Sequence, residues 1–392
     1  MRILVAEAKW TGHHLFLARE VATELAVTDH DIVLATTADD QPSAREMRRS
    51  TLDDLDPRID LRPMLDGPKA GFSHIRNDDS RVECDAVGSA VRDVDPDLVI
   101  LPSGDAVAYA LGHRRDHPLN SSRTKMILHQ PYVGYGGRGW KFALRRESIR
   151  RRLRRLRTSL AALDHRIADA LHPHQTVTMI PNPPMATTER TREAARAIFD
   201  IADDQLVFLA AGEHSLRKGT HQLVSNWPDA ANTVLFIVGR CSDDVRAAVD
   251  SRRRNLPDGR IRVLDEVLDN QRYGDAFRAA DVVTVCYPMH FGASGILNTA
   301  IAYRKPVIGS DYGCIGDLVE PFGIGTSFDC RDEATMRTNL RKSVASPPRF
   351  DEQLAQPLID FHTQENLGTT IRSWILGPDE SDRSPLPYPA RS

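Results

Sequence analysis

The chain has 392 residues, 41% of them hydrophobic and 27% charged, a globular composition in a chain long enough for two cores rather than one. Fifty-one basic residues against 54 acidic ones leave a formal charge of −3, so no overall positive field recommends it to nucleic acid. The five cysteines are odd in number and far apart, the apolar stretch at residues 3–6 is too short for a signal peptide, and no window reaches the ~18 apolar residues of a spanning helix; a disulfide framework, a zinc finger and a membrane span are disfavoured, and a cytoplasmic protein is expected.

Short β-branched runs alternate with longer amphipathic stretches, the rhythm of βαβ units that lay down parallel sheets with helices on both faces. The rhythm occurs twice. The first series of apolar runs falls at residues 3–6, 31–35, 98–101, 126–129 and 176–180, with helical periodicity at 14–26 and 82–94. The first run breaks into Thr11-Gly12-His13-His14 and then a helix. Ligands of open α/β sheets lie outside the carboxyl ends of strands, where a helix N-terminus offers unpaired N–H groups, so Gly12 and His13 are candidate ligand-facing residues. The dinucleotide signature Gly-x-Gly-x-x-Gly is missing there, which disfavours a nicotinamide or flavin site.

Near the end of this series, Trp140-Lys141-Phe142 leads into a run from Arg145 to Arg157 in which Leu144, Ile149, Leu153 and Leu156 fall close to one helical face and arginines fill the rest. Such a helix suits anionic lipid or a polyanionic acceptor; packed on a sheet with its arginines paired to carboxylates, it is an ordinary surface helix. The sequence leaves both open. Pro181-Asn182-Pro183-Pro184-Met185-Ala186-Thr187-Thr188, whose prolines forbid helix, reads as an interdomain linker. The second series follows at 206–211, 234–239, 261–264, 281–286 and 306–310, then a helical pattern over 350–376. Residues 381–392 combine three prolines with polar residues and are expected to form a flexible tail.

Two loops of the second series carry the chemistry. Gly212-Glu213-His214-Ser215-Leu216-Arg217-Lys218-Gly219 follows a strand and opens a helix, which sets two cations at the positive end of a helix dipole. Gly292-Ala293-Ser294-Gly295 repeats the arrangement with no bulky side chain, so backbone amides there can approach a diphosphate closely. Together they describe a diphosphate cradle, with Arg217 or Lys218 neutralising the charge.

With Ala279-Ala280-Asp281-Val282, Ser294-Gly295, Ala300-x-Ala302-x-x-Lys305-Pro306 and, more weakly, Gly12-His13-His14, Ile127-Leu128-His129 and Pro181-Asn182-Pro183, the chain resembles the retaining GT-B glycosyltransferases of family four, the glycosyl transferases group 1. The resemblance implies an α/β fold of two Rossmann-like lobes with a cleft between them: an N-terminal acceptor-side lobe at 1–184, a nucleotide-sugar-binding lobe at 185–350, C-terminal helices at 351–380 crossing back to the first lobe, and the tail. It implies transfer of a sugar from a nucleoside diphosphate donor to a carbohydrate or lipid-linked acceptor with retained anomeric configuration, needing no cofactor and no metal. Arg217, Lys218, Ser294 and Gly295 would then hold the diphosphate, and His129 would be the catalytic-site histidine near the donor sugar. Apart from the resemblance, any peripheral contact with the inner face of a membrane would run through the Arg145–Arg157 helix.

Three departures stand out. The family's two glutamates fall at Phe291 and Thr299, neither acidic, so the ribose would rest on Asn298 or Thr299 through neutral hydrogen bonds. A basic residue of the family after the strand glycine is replaced by Glu213, which would repel a diphosphate unless it points elsewhere. The alternatives that follow are a catalytically idle homologue that binds a glycan or a protein, and a peripheral membrane scaffold built on the arginine helix.

Overall fold

A computed structural model describes residues 1–10, 13–66, 77–129, 140–184, 186–288, 290–377 and 388. The chain divides into two units, Met1–Pro181 with Gln364–Ser392 and Asn182–Thr363.

The first unit runs β1 (Arg2–Glu7), α1 (His13–Ala26), β2 (Asp31–Thr37), α2 (Pro42–Leu52), β3 (Ile59–Leu65), α3 (Asn77–Val94), β4 (Leu98–Leu101), α4 (Asp105–Leu111), β5 (Thr124–Leu128), α5 (Trp140–Leu153), β6 (Ser159–Ala162), α6 (His165–Leu171) and β7 (Val177–Met179). These strands form a sheet in the order β3-β2-β1-β4-β5-β6-β7, every neighbour parallel. The strand order reverses direction beside β1, so the first loops after β1 and β4 flank the topological switch point where such sheets bind ligands. Ile3, Leu4 and Val5 are wholly buried, as expected where helices cover both faces of a parallel sheet.

The second unit runs α7 (Arg192–Ile198), β8 (Leu206–Ala211), α8 (Thr220–Ser225), β9 (Thr233–Val238), α9 (Asp243–Arg253), β10 (Ile261–Leu264), α10 (Asn270–Ala279), β11 (Val282–Val285), α11 (Gly295–Ala302), β12 (Val307–Ser310), α12 (Gly313–Leu318), β13 (Gly325–Phe328), α13 (Glu333–Ala345) and α14 (Glu352–Phe361). Its parallel sheet has the order β10-β9-β8-β11-β12-β13. Trp227 and Phe208 pack edge to face at 5.2 Å in the core of this unit. The final helix, α15 (Gln364–Leu376), belongs to the first unit, where Arg372 pairs with Glu24 of α1 and Lys125 of β5 donates to the Trp374 carbonyl at 2.8 Å. The helical pattern of 350–376 is thus two helices, broken at His362 and Thr363.

Three strands lie outside the apolar runs of the sequence. β3 contains Pro63 and β13 is Gly-Thr-Ser-Phe; each is an edge strand, where a missing N–H and a thin apolar face are tolerated. β6, Ser-Leu-Ala-Ala, is interior but too rich in small residues to announce a strand. The arginine helix also differs from its expected pattern. Ile149, Leu153 and Leu156 are buried, but Leu144 is 62% exposed, with Trp140 and Phe142 exposed beside it. Five residues of helix rotate Leu144 by about 140° from Ile149, off the buried face. Arg150 and Arg151 both pair with Glu147 on the same helix. No described helix is long and apolar enough to cross a membrane. Residues 381–392 lie outside the described residues apart from Tyr388.

The residues before β11 turn out to be scaffold. Arg196 of α7, fully buried, donates to the Ala279, Ala202, Asp203 and Gln205 carbonyls at 2.9–3.0 Å and to Asp281 at 2.7 Å, while Asp281 also accepts the Val207 N–H at 2.8 Å. Lys305 donates to the Ala280 and Arg278 carbonyls, closing the C-terminal end of α10. Asp281→Ala leaves a buried guanidinium without its anion and is expected to cost about 3 kcal/mol, the low end for breaking a buried pair because Asp281 itself is partly exposed. Urea unfolding of the variant checks this, and a loss under about 1 kcal/mol contradicts it.

Candidate functional site

The second unit brings its two candidate loops together through glycines. β8 ends at Ala211, and Gly212 turns the chain with φ +90°, a conformation that L side chains rarely adopt. A Cβ at Gly212 would stand 3.1 Å from Lys218 Nζ and 3.4 Å from Ile296 Cδ1, so the lysine ammonium lies over the bare backbone of Gly212 with the first turn of α11 alongside. His214 fixes the loop behind it: Nε2–H donates to the Val238 carbonyl at 3.1 Å, and Nδ1 accepts the Thr220 hydroxyl at 3.1 Å. A 3₁₀ turn over Leu216–Lys218 then reaches Gly219, φ +65°, where a Cβ would strike Pro288 Cδ at 2.6 Å. Only a glycine lets the cation-bearing turn press against the second loop this closely.

Lys218 Nζ sits 5.5 Å from the Tyr287 ring centroid, a cation–π contact, and among the described residues no carboxylate pairs with it. Burial pushes its pKa down to about 8, and the neighbouring Arg217 pushes the same way. Glu213 is exposed and opposes this only weakly, so the carboxylate in the family's basic slot points out to water. Arg217 donates to His290 Nδ1 at 3.3 Å, while His290 Nε2–H donates to the Ala293 carbonyl at 3.2 Å. Ser294 is the N-cap of α11, its hydroxyl oxygen accepting the Leu297 N–H at 3.3 Å. The N–H groups of Gly295 and Ile296 have no partner within the helix, and with the helix dipole they favour an anion at this end. Arg217, Lys218, Ser294 and Gly295 are therefore clustered on one side of this unit; Met289 lies outside the described residues.

The two residues assigned to the ribose are engaged internally. Thr299, fully buried, donates its hydroxyl to the Gly295 carbonyl at 2.8 Å, and Asn298 donates its amide to the Asn182 carbonyl at 3.1 Å. Asn182 is held from its other side by the buried His362, whose Nδ1 accepts the Asn182 N–H at 2.9 Å. Phe291, in the other glutamate slot, packs on Tyr312 at 4.6 Å.

In the first unit, His129 lies just past the end of β5. Its N–H donates to Asp105 at 2.9 Å, its Nε2–H donates to the Pro102 carbonyl at 2.7 Å, and its ring stacks on His14 at 5.3 Å. Burial lowers its pKa to about 4, so it is neutral near pH 7 and Nδ1 is the nitrogen able to accept a hydrogen bond. Gly12 and the His13 side chain lie outside the described residues. Sequence reasoning passed over Glu7, Lys9, Glu83 and Ser103 around the ends of β1 and β4, and Tyr287 and His290 around Lys218. A carboxylate ending a wholly apolar strand, as Glu7 does, is the one available signal.

Residues 204–343, all within the second unit, match the family model of glycosyl transferases group 1. No curated protein sequence matches the chain. Among solved structures it is similar to sucrose-phosphate synthase from Thermosynechococcus elongatus (17% identity, 96% of this chain and 94% of that one, TM-score 0.64). It is also similar to WaaG, a glycosyltransferase involved in lipopolysaccharide biosynthesis (16% identity, 96% and 100%, TM-score 0.61), and to Anabaena HepE in complex with UDP (14% identity, 96% and 98%, TM-score 0.62). At these identities the likeness concerns the fold: two parallel sheets with helices, the GT-B architecture.

If Lys218 grips an anion, Lys218→Ala should weaken UDP binding by roughly 1.5–3 kcal/mol, the range for a hydrogen bond to a charged group, and leave uridine binding unchanged. Because the ammonium is present below its pKa of about 8 and lost above it, UDP affinity should fall as pH rises past that value in the natural protein and stay flat there in the variant. Calorimetric titration from pH 7 to 9.5 checks both; equal loss for uridine and UDP contradicts the assignment.

Proposed function

We propose that this chain is a glycosyltransferase that moves a sugar from a nucleoside diphosphate donor to an acceptor hydroxyl with retention of anomeric configuration. The observation that carries the reading is the half-buried Lys218 ammonium, held over Gly212 beside the N-terminus of α11 with no described carboxylate to pair with. A cation kept in that state is stabilised by an anionic ligand. The group 1 match over 204–343 favours a nucleoside diphosphate sugar as that ligand, and the complexes of Anabaena HepE with UDP and with UDP-glucose favour uracil as its base.

In this reading the leaving diphosphate takes on charge as the bond from the anomeric carbon to its oxygen breaks, and Lys218, Arg217 and the amides at Gly295 stabilise that charge electrostatically. The acceptor oxygen bonds to the anomeric carbon on the same face, and the departing phosphate oxygen takes the acceptor proton. His129, neutral and locked to the Pro102 carbonyl, would stand near the donor sugar, as the resemblance implies. No metal is invoked.

One observation favours a second reading, a homologue that binds without turnover. The ribose slot holds Thr299 and Asn298 with their donors committed to Gly295 and Asn182, so donor positioning loses its charged hydrogen bond. Incubation with UDP-glucose and a panel of acceptors, read by proton NMR of the anomeric signals, separates the two. The proposed enzyme gives a product, or free glucose from slow hydrolysis, with the α-configuration of the donor; UDP-glucose binding with no transfer or hydrolysis sinks the enzyme reading, and a β-product overturns retention.

A further inference from the structure

The carboxyl ends of β1, β2 and β4 gather polar groups that the fold itself does not use. Glu7 closes β1 and is 1% exposed; Oε1 accepts the Lys9 N–H at 2.9 Å, but Oε2 is buried and, among the described residues, makes no hydrogen bond of normal geometry, the Ser103 hydroxyl being its polar neighbour. Thr36, opposite Glu7 in the register of β1 and β2, is fully buried and its hydroxyl also lacks a partner. Side chains at paired positions of neighbouring strands share a face of the sheet, so the two orphaned oxygens lie on one side. Lys9, just past β1, reaches Glu83 of α3 at 3.5 Å, and one turn earlier on the same side of α3 the hydroxyl of buried Ser80 is likewise unpartnered. Lys9, with 27% of its side chain exposed, is the member of the group that reaches the surface.

A buried carboxylate oxygen or hydroxyl without a partner is costly and rare in a folded protein. Two at paired positions of neighbouring strands, with a third one helical turn from Glu83, all toward the carboxyl end of one sheet beside its topological switch point, are what a polar ligand would satisfy. Their chemistry restricts the ligand. Glu7 Oε2 calls for a hydrogen-bond donor, while Thr36 and Ser80 each both donate and accept. Neighbouring hydroxyls of a sugar or polyol offer both roles at short spacing. An anionic group would meet the carboxylates of Glu7, Glu83 and Asp105 with Lys9 facing them, a poor balance for a phosphate.

We propose that Glu7, Thr36 and Ser80 form the acceptor subsite of this protein and that it takes a neutral polyhydroxylated molecule, a sugar or polyol without a phosphate ester. Glu7 receives a hydroxyl hydrogen bond from the acceptor and orients it. This rests on the glycosyltransferase reading for the word acceptor, whereas the site itself stands on the orphaned groups. Burial pushes the Glu7 carboxyl up to about 7, against the pull of the Lys9 ammonium, the Ser103 hydroxyl and the Lys9 N–H.

The test is ligand-observed NMR with the whole chain, using D-glucose, D-mannose, D-galactose and myo-inositol, each beside its monophosphate, with UDP titrated in parallel. At least one neutral polyol should bind, and Glu7→Gln and Thr36→Val should each weaken it about tenfold or more, with UDP affinity changed less than twofold and folding verified by thermal unfolding. Ser80→Ala gives a third variant if either of the others fails to fold. No neutral polyol bound, undiminished binding in folded Glu7→Gln, or a marked preference for the phosphate esters overturns the proposal. Failure of UDP alone to bind overturns the donor reading instead, with the polyol result still standing.

Discussion

In the second unit a half-buried ammonium, that of Lys218, has no carboxylate paired with it among the described residues. Removing an ammonium from water is costly unless something pairs with it, and proteins meet that cost by pairing, by hydrogen bonding or by letting the pKa fall. Lys218 has the cation–π face of Tyr287 and a pKa drawn down to about 8, which only partly offset the desolvation. The rest of the site follows from keeping it there. Gly212 clears the space beneath the ammonium, Gly219 lets the turn press on Pro288, and His214 ties the loop to β9 through a neutral ring. Ser294 caps α11 so that its N-terminus adds positive potential without adding a second buried charge.

The two units hold polar sites of opposite character. Around Lys218 the field is positive and the neighbouring histidine His214 is kept neutral, its pKa lowered to about 4 by burial and by Lys218 itself. Around Glu7 the groups are carboxylates, hydroxyls and the neutral His129, with burial holding Glu7 and Glu83 above the usual carboxylate range. A diphosphate suits the first environment and a neutral polyol the second. Neutrality of His129 belongs to the same scheme: a cationic ring stacked on His14 beside Lys9 would be repelled by that ammonium.

Much of this was legible in the residue pattern, and the reasons for the gaps are physical. Central strands such as β1, β8 and β9 announce themselves because both faces are covered, giving unbroken apolar runs. β3 and β13 do not, because an edge strand needs only one apolar face, and β6 hides behind alanines that pack well but carry no β signal. The clustering of Arg217, Lys218, Ser294 and Gly295 followed from two strand-to-helix loops at the carboxyl ends of neighbouring strands. What spacing could not supply was the use to which polar atoms are put. Asp281 and Lys305 carry the family resemblance yet serve the scaffold, and Asn298 and Thr299 occupy a ligand slot yet bond to backbone carbonyls. The orphaned oxygens of Glu7, Thr36 and Ser80 come from three segments whose convergence only the folded chain reveals.

The most direct test of the central claim is a crystal structure of the protein with UDP bound. The account predicts the β-phosphate within hydrogen-bonding distance of Lys218 Nζ and of the first backbone N–H groups of α11, with Gly212 in van der Waals contact beneath it. A diphosphate held elsewhere on the chain, with Lys218 still unpaired, would contradict it.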